Sequence, residues 1–531
     1  MHPSPKIPAA AGLAFALAMA AVPASAARAV DSHSGRVVTA VVTVRPGVSL
    51  PVGVPGGHVT QVFRGIGSEV VRAPMSALAH LASDPRVAGV SPDRSGHVAG
   101  KDDAAAGGAG VLAADSLGGQ AGKPGTGKGV NVALLDTGLT DTPALNRASG
   151  RVTDGVDVSQ LAAGQPARTS GQFTDGYGHG TFLASLIAGD RAPGSGKDAL
   201  GVAPAARIVV VKVADDQGNT SLSQVLAGLD WVAAHAQAIQ VVNVALAVDR
   251  PTAPAYGMDP LTAAVEHVRD AGVLVVAAAG NTPGQVGDPG LDPQTLTVGA
   301  ADLTAKQDQV ASFSGSGVVA GVSKPDVVAS GVRLLGLLPQ DSVIAQAHPS
   351  AWQPNGLFRG SGTSEATAVA SGVAAAWFSN HPGASPVAAK AALRAGAGGS
   401  YGATGGAGLV HLVEGRGSGR PGDLGESTFD PQSWQTNAFM NGDWASWLAS
   451  SWSASSWSAS SWSAATWSAS SWSASSWSAS SWSASSWSAA TWSASSWSAS
   501  SWSASSWSAS SWSASSWSAS SWSAYGWGDD A

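Results

Sequence analysis

The chain has 531 residues, too many for one compact core, and at about 150 residues per domain it holds two to four units. Charged residues are only 12%, against a usual share of roughly 25%, and the net charge of −7 leaves no basic footprint for nucleic acid. There is no cysteine, which excludes disulfides and thiolate metal sites.

The chain opens with a weakly basic start (His2, Lys6), an apolar run over residues 7–22 and a small-x-small site, Ala24-Ser25-Ala26. That run is shorter than the roughly 20 residues that span a bilayer. Residues 1–26 therefore read as a secretion signal and the protein as secreted or extracellular. Residues 27–105 form a small α+β unit, with strands at 37–44, 69–73 and 84–90 and a helix over 76–82. The Gly/Ala-rich stretch that follows reads as a flexible, cleavable linker at 106–127.

Residues 128–415 have a different character. Apolar strand-like runs recur at 130–135, 208–213, 241–246 and 273–279, with a shorter one at 295–298. Helical patterns at 223–236 and 261–271 lie between them. Strands alternating with helices predict an α/β fold, three layers around a mostly parallel central sheet buried on both faces. Residues 416–446 are rich in Gly and Pro and read as a second linker.

Over residues 447–528 a unit Trp-Ser-Ala-Ser-Ser repeats, with two Ala-Ala-Thr variants before Trp467 and Trp492. A period of five keeps tryptophan on one face of neither a helix nor a flat strand. Three readings stay open: a β-like solenoid with stacked tryptophans, a module binding a cell-envelope polymer through aromatic faces, or a low-complexity disordered tail.

Four segments carry candidate chemistry. Asp136 ends an apolar strand and precedes Thr137-Gly138. His179 lies between Gly178 and Gly180 at the head of an apolar helix that glycine ends. Asn281 follows a strand and Gly280. Ser364 follows Gly362-Thr363 and opens a helix of small residues, where unpaired N–H groups and the positive helix end favour an oxyanion. Each has an ordinary reading alone: a turn aspartate, a loop histidine, a turn asparagine, a capping serine. Together they supply a nucleophile, a base with an ordinary pKa of about 6.5 and a carboxylate to orient it.

The order Asp136, His179, Asn281, Ser364, each at a strand or helix end, resembles the subtilisin-like serine proteases (subtilases, peptidase family S8) over roughly residues 112–415. The run Leu78-x-x-Leu81-x-x-Asp84-Pro85-x-Val87-x-x-Val90 resembles their inhibitory propeptide. The resemblance implies a subtilisin-like fold and a secreted serine endopeptidase that works through an acyl-enzyme. Asp136, His179 and Ser364 would be the triad and Asn281 an oxyanion donor. Ala245-Leu246-Ala247 and Gly280 would bind substrate. The partners implied are protein or peptide substrates and the chain's own propeptide as an intramolecular inhibitor. The chemistry needs no cofactor, and the resemblance leaves structural calcium open. Two departures bear on rate and specificity: Ala245-Leu246-Ala247 replaces the common Ser-Leu-Gly, and Glu365 replaces an apolar residue after the nucleophile. They motivate a rival reading, a catalytically weak or inactive subtilase fold acting as an envelope-associated binding or structural protein.

Overall fold

The apolar runs between residues 131 and 330 become, in the computed structural model, the parallel strands of one central sheet. The structure describes residues 37–45, 47–81, 84–98, 110–117, 126–191, 199–248, 259–319, 322–411, 447–449 and 452–524. The expected signal segment 1–26 and the second linker 416–446 lie outside the described residues.

The N-terminal unit runs β1 (Val37–Val44), β2 (His58–Phe63), β3 (Ser68–Pro74), α1 (Met75–Leu81) and β4 (Val87–Pro92). Its strands form an antiparallel sheet in the order β2-β3-β1-β4, with Val42, Val71, Leu78 and Val90 in the core beneath it. Strand β2 has no counterpart in the sequence expectation. Its polar residues and a register shift between Val59 and Gln61 spoil the alternation that marks a half-buried strand. Beyond β4, the chain leaves this unit through β5 (Ser95–His97).

Residues 110–117 correct the linker reading in part. Here β6 (Val111–Leu112) adds in parallel to a strand at Leu334–Gly336, with Val111 N–H donating to Arg333 O at 2.9 Å. Leu112 packs against Leu200, Leu335 and Leu357. Two apolar side chains in an otherwise Gly/Ala-rich stretch are enough to dock it.

The body then runs β7 (Asn131–Asp136), β8 (Val152–Asp157), α2 (His179–Ala188), β9 (Arg207–Lys212), β10 (Asn219–Ser221), α3 (Leu222–Ala234), β11 (Val241–Val244), β12 (Ala247–Val248), α4 (Pro260–Asp270), β13 (Leu274–Ala278), β14 (Leu296–Asp302), β15 (Gln309–Val310), β16 (Gly317–Val319), β17 (Val322–Lys324), β18 (Val327–Ser330), β19 (Leu334–Gly336), α5 (Val343–Ala347), β20 (Phe358–Gly360), α6 (Thr363–Asn380) and α7 (Pro386–Gly396). The sheet order is β15-β14-β13-β11-β7-β9-β8, with β18 also on β14; all pairs are parallel except β14–β15.

Caps fix where the helices begin. Ser221 accepts from Gln224 N at the start of α3, and Asp259 from Leu261 N at the start of α4, with Pro260 in the first turn. Burial on both faces explains the continuous apolarity of the strands. Leu134, Val210 and Val276 pack on α2 and α6 through Leu183, Ile187, Val369 and Val373. Leu135, Val211 and Val275 pack on α3 and α4 through Leu226, Leu229, Leu261 and Val265. Val41, Phe63 and Val70 of the N-terminal unit join this second layer from outside. Polar clamps add to it: Asp93 accepts from Ser223 N at 2.8 Å and Ser223 Oγ at 2.7 Å, and Arg94 reaches Asp259 at 2.7 Å.

In the repeat region, β21 (Trp447–Ala449) pairs in parallel with β22 (Trp452–Ala524), and Trp447 lies opposite Trp467. The shift is 467 − 447 = 20 residues, or four five-residue repeats. Among the described residues, no helix is long and apolar enough to cross a membrane.

Candidate active site

Parallel strands end on one edge of a sheet, and ligands of open α/β sheets gather outside those carboxyl ends. Asp136 is the last residue of β7, Ala245 follows β11 and Asn281 follows β13, so three of the expected site residues share that edge. Helices α2 and α6, on one face of the sheet, bring His179 and Ser364 with their first turns.

Asp136 is fully buried and His179 nearly so. The imidazole Nδ1 sits 2.8 Å from Asp136 Oδ1 and 2.9 Å from Oδ2. Thr137 N–H also donates to Asp136 Oδ1 at 2.8 Å, which holds the carboxylate still. Two carboxylate oxygens at Nδ1 fix the proton there and leave Nε2 as the basic nitrogen. Nε2 is buried and makes no hydrogen bond to a described residue. Burial is the largest influence on this group and works against its cation. The negative charges of Asp136, Glu365 and Asp175 outweigh it, and the His179 pKa is raised above its ordinary value.

Glycine is required where the two motifs interlock. A Cβ on Gly180 would lie 2.2 Å from Gly138 O, and Gly138, at φ +113, has Thr174 O only 2.5 Å from its own Cβ position. The loop before α2 is tied by a residue that sequence reading missed. Buried Asp175 accepts from Thr137 Oγ1 at 2.8 Å, Gly178 N at 2.7 Å, Thr181 N at 2.7 Å and Thr181 Oγ1 at 2.8 Å. Burial pushes its pKa up, against the pull of those hydrogen bonds. Thr137 Oγ1 in turn accepts from Gly180 N at 2.9 Å, so one carboxylate stitches the Asp136 turn to the His179 helix. The signal was an aspartate four residues before the histidine, one among many loop aspartates.

Ser364 is the second residue of α6 and is buried; Gly362, and not Ser364, occupies the capping position. Its hydroxyl donates to Ala245 O at 3.2 Å. Asn281 lies beside the same helix start. Its Oδ1 accepts from Thr363 N at 2.9 Å and Thr363 Oγ1 at 3.0 Å, which turns the amide nitrogen toward Gly362; Nδ2 is 3.5 Å from the Cβ position of that glycine. Gly280 N–H donates to Thr363 Oγ1 at 3.1 Å. Thr363 is the second missed residue, a hydroxyl that orients an amide.

The expected substrate-binding residues divide. Ala245 and Leu246 are buried, whereas Ala247 begins β12 and is partly exposed. Strand β5 of the N-terminal unit pairs antiparallel with β12 on one side and β10 on the other. Val98 N–H donates to Gly218 O at 3.0 Å. The segment after β4 thus fills a slot between two strand edges, main chain to main chain. Among the described residues, no group of three or more His, Asp or Glu is arranged to hold a metal ion.

Residues 127–422 match the profile described as Peptidase_S8, subtilase family. The chain belongs to the subtilase family. Subtilases are serine endopeptidases. Serine protease AprX of Bacillus subtilis (strain 168) is 33% identical over 287 residues, 51% of this chain and 62% of AprX. Subtilisin E of the same organism is 31% identical over 333 residues, 62% of this subtilase and 74% of subtilisin E. The crystal structure of fervidolysin from Fervidobacterium pennivorans, a keratinolytic enzyme related to subtilisin, shares the fold with a TM-score of 0.54 at 21% identity, over 71% of this chain and 60% of fervidolysin. The relatives are named for proteolysis, which does not favour the inactive reading of this subtilase.

Proposed function

We propose that this subtilase is a secreted serine endopeptidase made as a zymogen, with its N-terminal unit as the inhibitor. The observation that carries the reading is the imidazole of His179, oriented by Asp136 through Nδ1 and with Nε2 unengaged. In the reaction, the Ser364 hydroxyl turns from Ala245 O to Nε2 and gives up its proton as it attacks a peptide carbonyl. Imidazolium then protonates the leaving amine, and water cleaves the acyl-enzyme by the same route. The N–H of Ser364 and the Nδ2 of Asn281 face the oxyanion; Thr363 holds the asparagine so that it offers nitrogen. Substrate main chain would pair with β10 and β12, the two edges that β5 occupies in the precursor.

The test is Ser364→Ala in the full chain, assayed on casein and with a fluorophosphonate probe. The expected result is loss of both hydrolysis and labelling. Hydrolysis undiminished in Ser364→Ala overturns the reading.

A further inference from the structure

We infer that Asn243 and Ser371, a buried hydrogen-bonded pair beneath the site, are positioning residues: they lock helix α6 against strand β11 and so hold Ser364 in place while its own tie to that strand is released. This rests on the triad reading above.

Strand β11 lies inside the sheet, with β7 on one side and β13 on the other. Side chains alternate along it. Val242 and Val244 face α3 and α4, whereas Val241, Asn243 and Ala245 face α2 and α6. Asn243 is wholly buried, and its partners across the sheet, Leu134 and Val276, are apolar. One end of its amide is used: Oδ1 accepts from Ser371 Oγ at 3.0 Å. Nδ2 is buried and makes no hydrogen bond to a described residue. An unpaired amide N–H in such a place costs stability that an apolar side chain would keep. What the asparagine provides in return is a directional bond to α6.

Helix α6 needs such a bond. Its residues in the core are mostly small and apolar, Ala366, Ala370, Val373 and Ala374 among them. Contacts of that kind are non-directional and resist sliding of the helix only weakly. Ser371 follows Ser364 by seven residues, close to two turns, and so lies on the same stripe of the helix. Asn243 precedes Ala245 by two residues, on the same face of the strand. Helix and strand are thus joined by two rungs, Ser364 Oγ to Ala245 O at 3.2 Å and Ser371 Oγ to Asn243 Oδ1 at 3.0 Å. Thr367, between them on the helix, turns its hydroxyl to Thr363 O instead. The first rung opens when the Ser364 hydroxyl turns to His179 Nε2. The second takes no part in the chemistry and persists. It fixes the height of α6, and with it the Ser364 N–H at the oxyanion and Thr363, which orients Asn281.

The experiment compares full-chain wild type, Ser371→Ala, Asn243→Val and the double variant. It reads kcat and KM on a peptide substrate, the rate of fluorophosphonate labelling, and thermal unfolding. Ser371→Ala is expected to lower kcat and the labelling rate together, by about tenfold, with KM nearly unchanged, as for a nucleophile shifted by a fraction of an ångström. The double variant removes both polar groups, so its unfolding temperature is expected to rise above that of Ser371→Ala while kcat stays low. Stability and kcat that recover together in the double variant would mean a packing role and overturn the inference. Wild-type kcat in Ser371→Ala also overturns it, as does failure of that variant to fold. Where Asn243→Val does not fold, Ser371→Ala decides alone, because alanine suits a helix interior. An active Ser364→Ala would sink the triad reading; an inactive one beside a fully active Ser371→Ala would sink only this one.

Discussion

His97 lies directly opposite Ala247 in an antiparallel pair, and Gly96 lies opposite Val248. The paired numbers sum to 97 + 247 = 344, so β5 runs along β12 in the direction of Ala245 as it ends at His97. Ala245 O is the group that holds the Ser364 hydroxyl. The bond after Ala99 is therefore the one expected to be cut when the precursor matures. N-terminal sequencing of the mature protein should begin at Gly100, and the Ser364→Ala precursor should stay uncut.

The same register needs its anchors. Asp93 caps the start of α3 through Ser223, and Arg94 is paired with Asp259 at 2.7 Å and Asp288 at 3.4 Å. Arg94 is nearly buried, so its loss removes the cation that joins two carboxylates at the junction. Arg94→Ala is expected to loosen the N-terminal unit, with faster appearance of mature protein on a gel time course. Maturation at the wild-type rate would mean that the apolar layer of Val41, Phe63 and Val70 suffices.

Gly180→Ala tests how tightly the two motifs interlock. Its methyl would meet Gly138 O at 2.2 Å, and neither backbone can yield without moving Asp136 or His179. Misplacing a catalytic group by about 1 Å costs about 10²-fold. The expected result is a loss of that size in kcat, with KM nearly unchanged. Asp175→Ala should also cost activity but mainly stability. It orphans donors from Thr137, Gly178 and Thr181, each worth about 1–3 kcal/mol when left unpaired, and thermal unfolding would register it.

How much of this was legible beforehand depended on local marks. Asp136, His179, Asn281 and Ser364 each carry glycine neighbours or sit where an apolar run stops, because a strand end or a tight turn must deliver them. Thr363 acts through Asn281, 82 residues away, and Asp175 ties its neighbours Gly178 and Thr181 to Thr137, 38 residues away; nothing in their own neighbourhoods announces the distant partner. Strand β2 was lost to its register shift, and the docking of 110–117 rested on Val111 and Leu112 finding a strand edge more than two hundred residues away. The burial of Glu365 was likewise invisible, because it depends on Gly360 and Gly362 vacating the same slot.

Stability has a second electrostatic centre away from the site. Lys324 Nζ donates to Thr295 O at 3.0 Å, Thr297 Oγ1 at 2.9 Å and Asp326 Oδ2 at 2.8 Å, all buried. Burial draws the Lys324 pKa down to about 8. Asp326, pushed up by burial, is drawn further down by Lys324 and Lys390, to about 2. The sign for Asp326 follows from a folded value below the ordinary one. Its contribution is full above the ordinary carboxylate range and is lost as pH falls toward about 2. Asp326→Asn removes the buried carboxylate that pairs with Lys324 and Lys390 and is expected to cost about 3–5 kcal/mol at neutral pH. The difference from wild type should narrow in acid. A thermal unfolding series from neutral pH down to about 3 checks both the size and the direction.

The repeat region yields a prediction from its register alone. If the pairing of Trp447 with Trp467 recurs along the region, one coil spans 20 residues and identical positions of every fourth repeat come into line. Stacked repeats cannot bury a face singly, and about three are needed for stability. A chain ending before Trp487 keeps two coils counted from Trp447, and one ending before Trp507 keeps three. Hydrogen exchange should find protected amides in the longer truncation and none in the shorter. Both should cleave a short peptide as the full chain does, because no residue of the described site comes from beyond α7. Equal protection in the two truncations, or a gradual loss in proportion to length, would mean that the coils do not depend on one another and that the 20-residue register is not a cooperative unit.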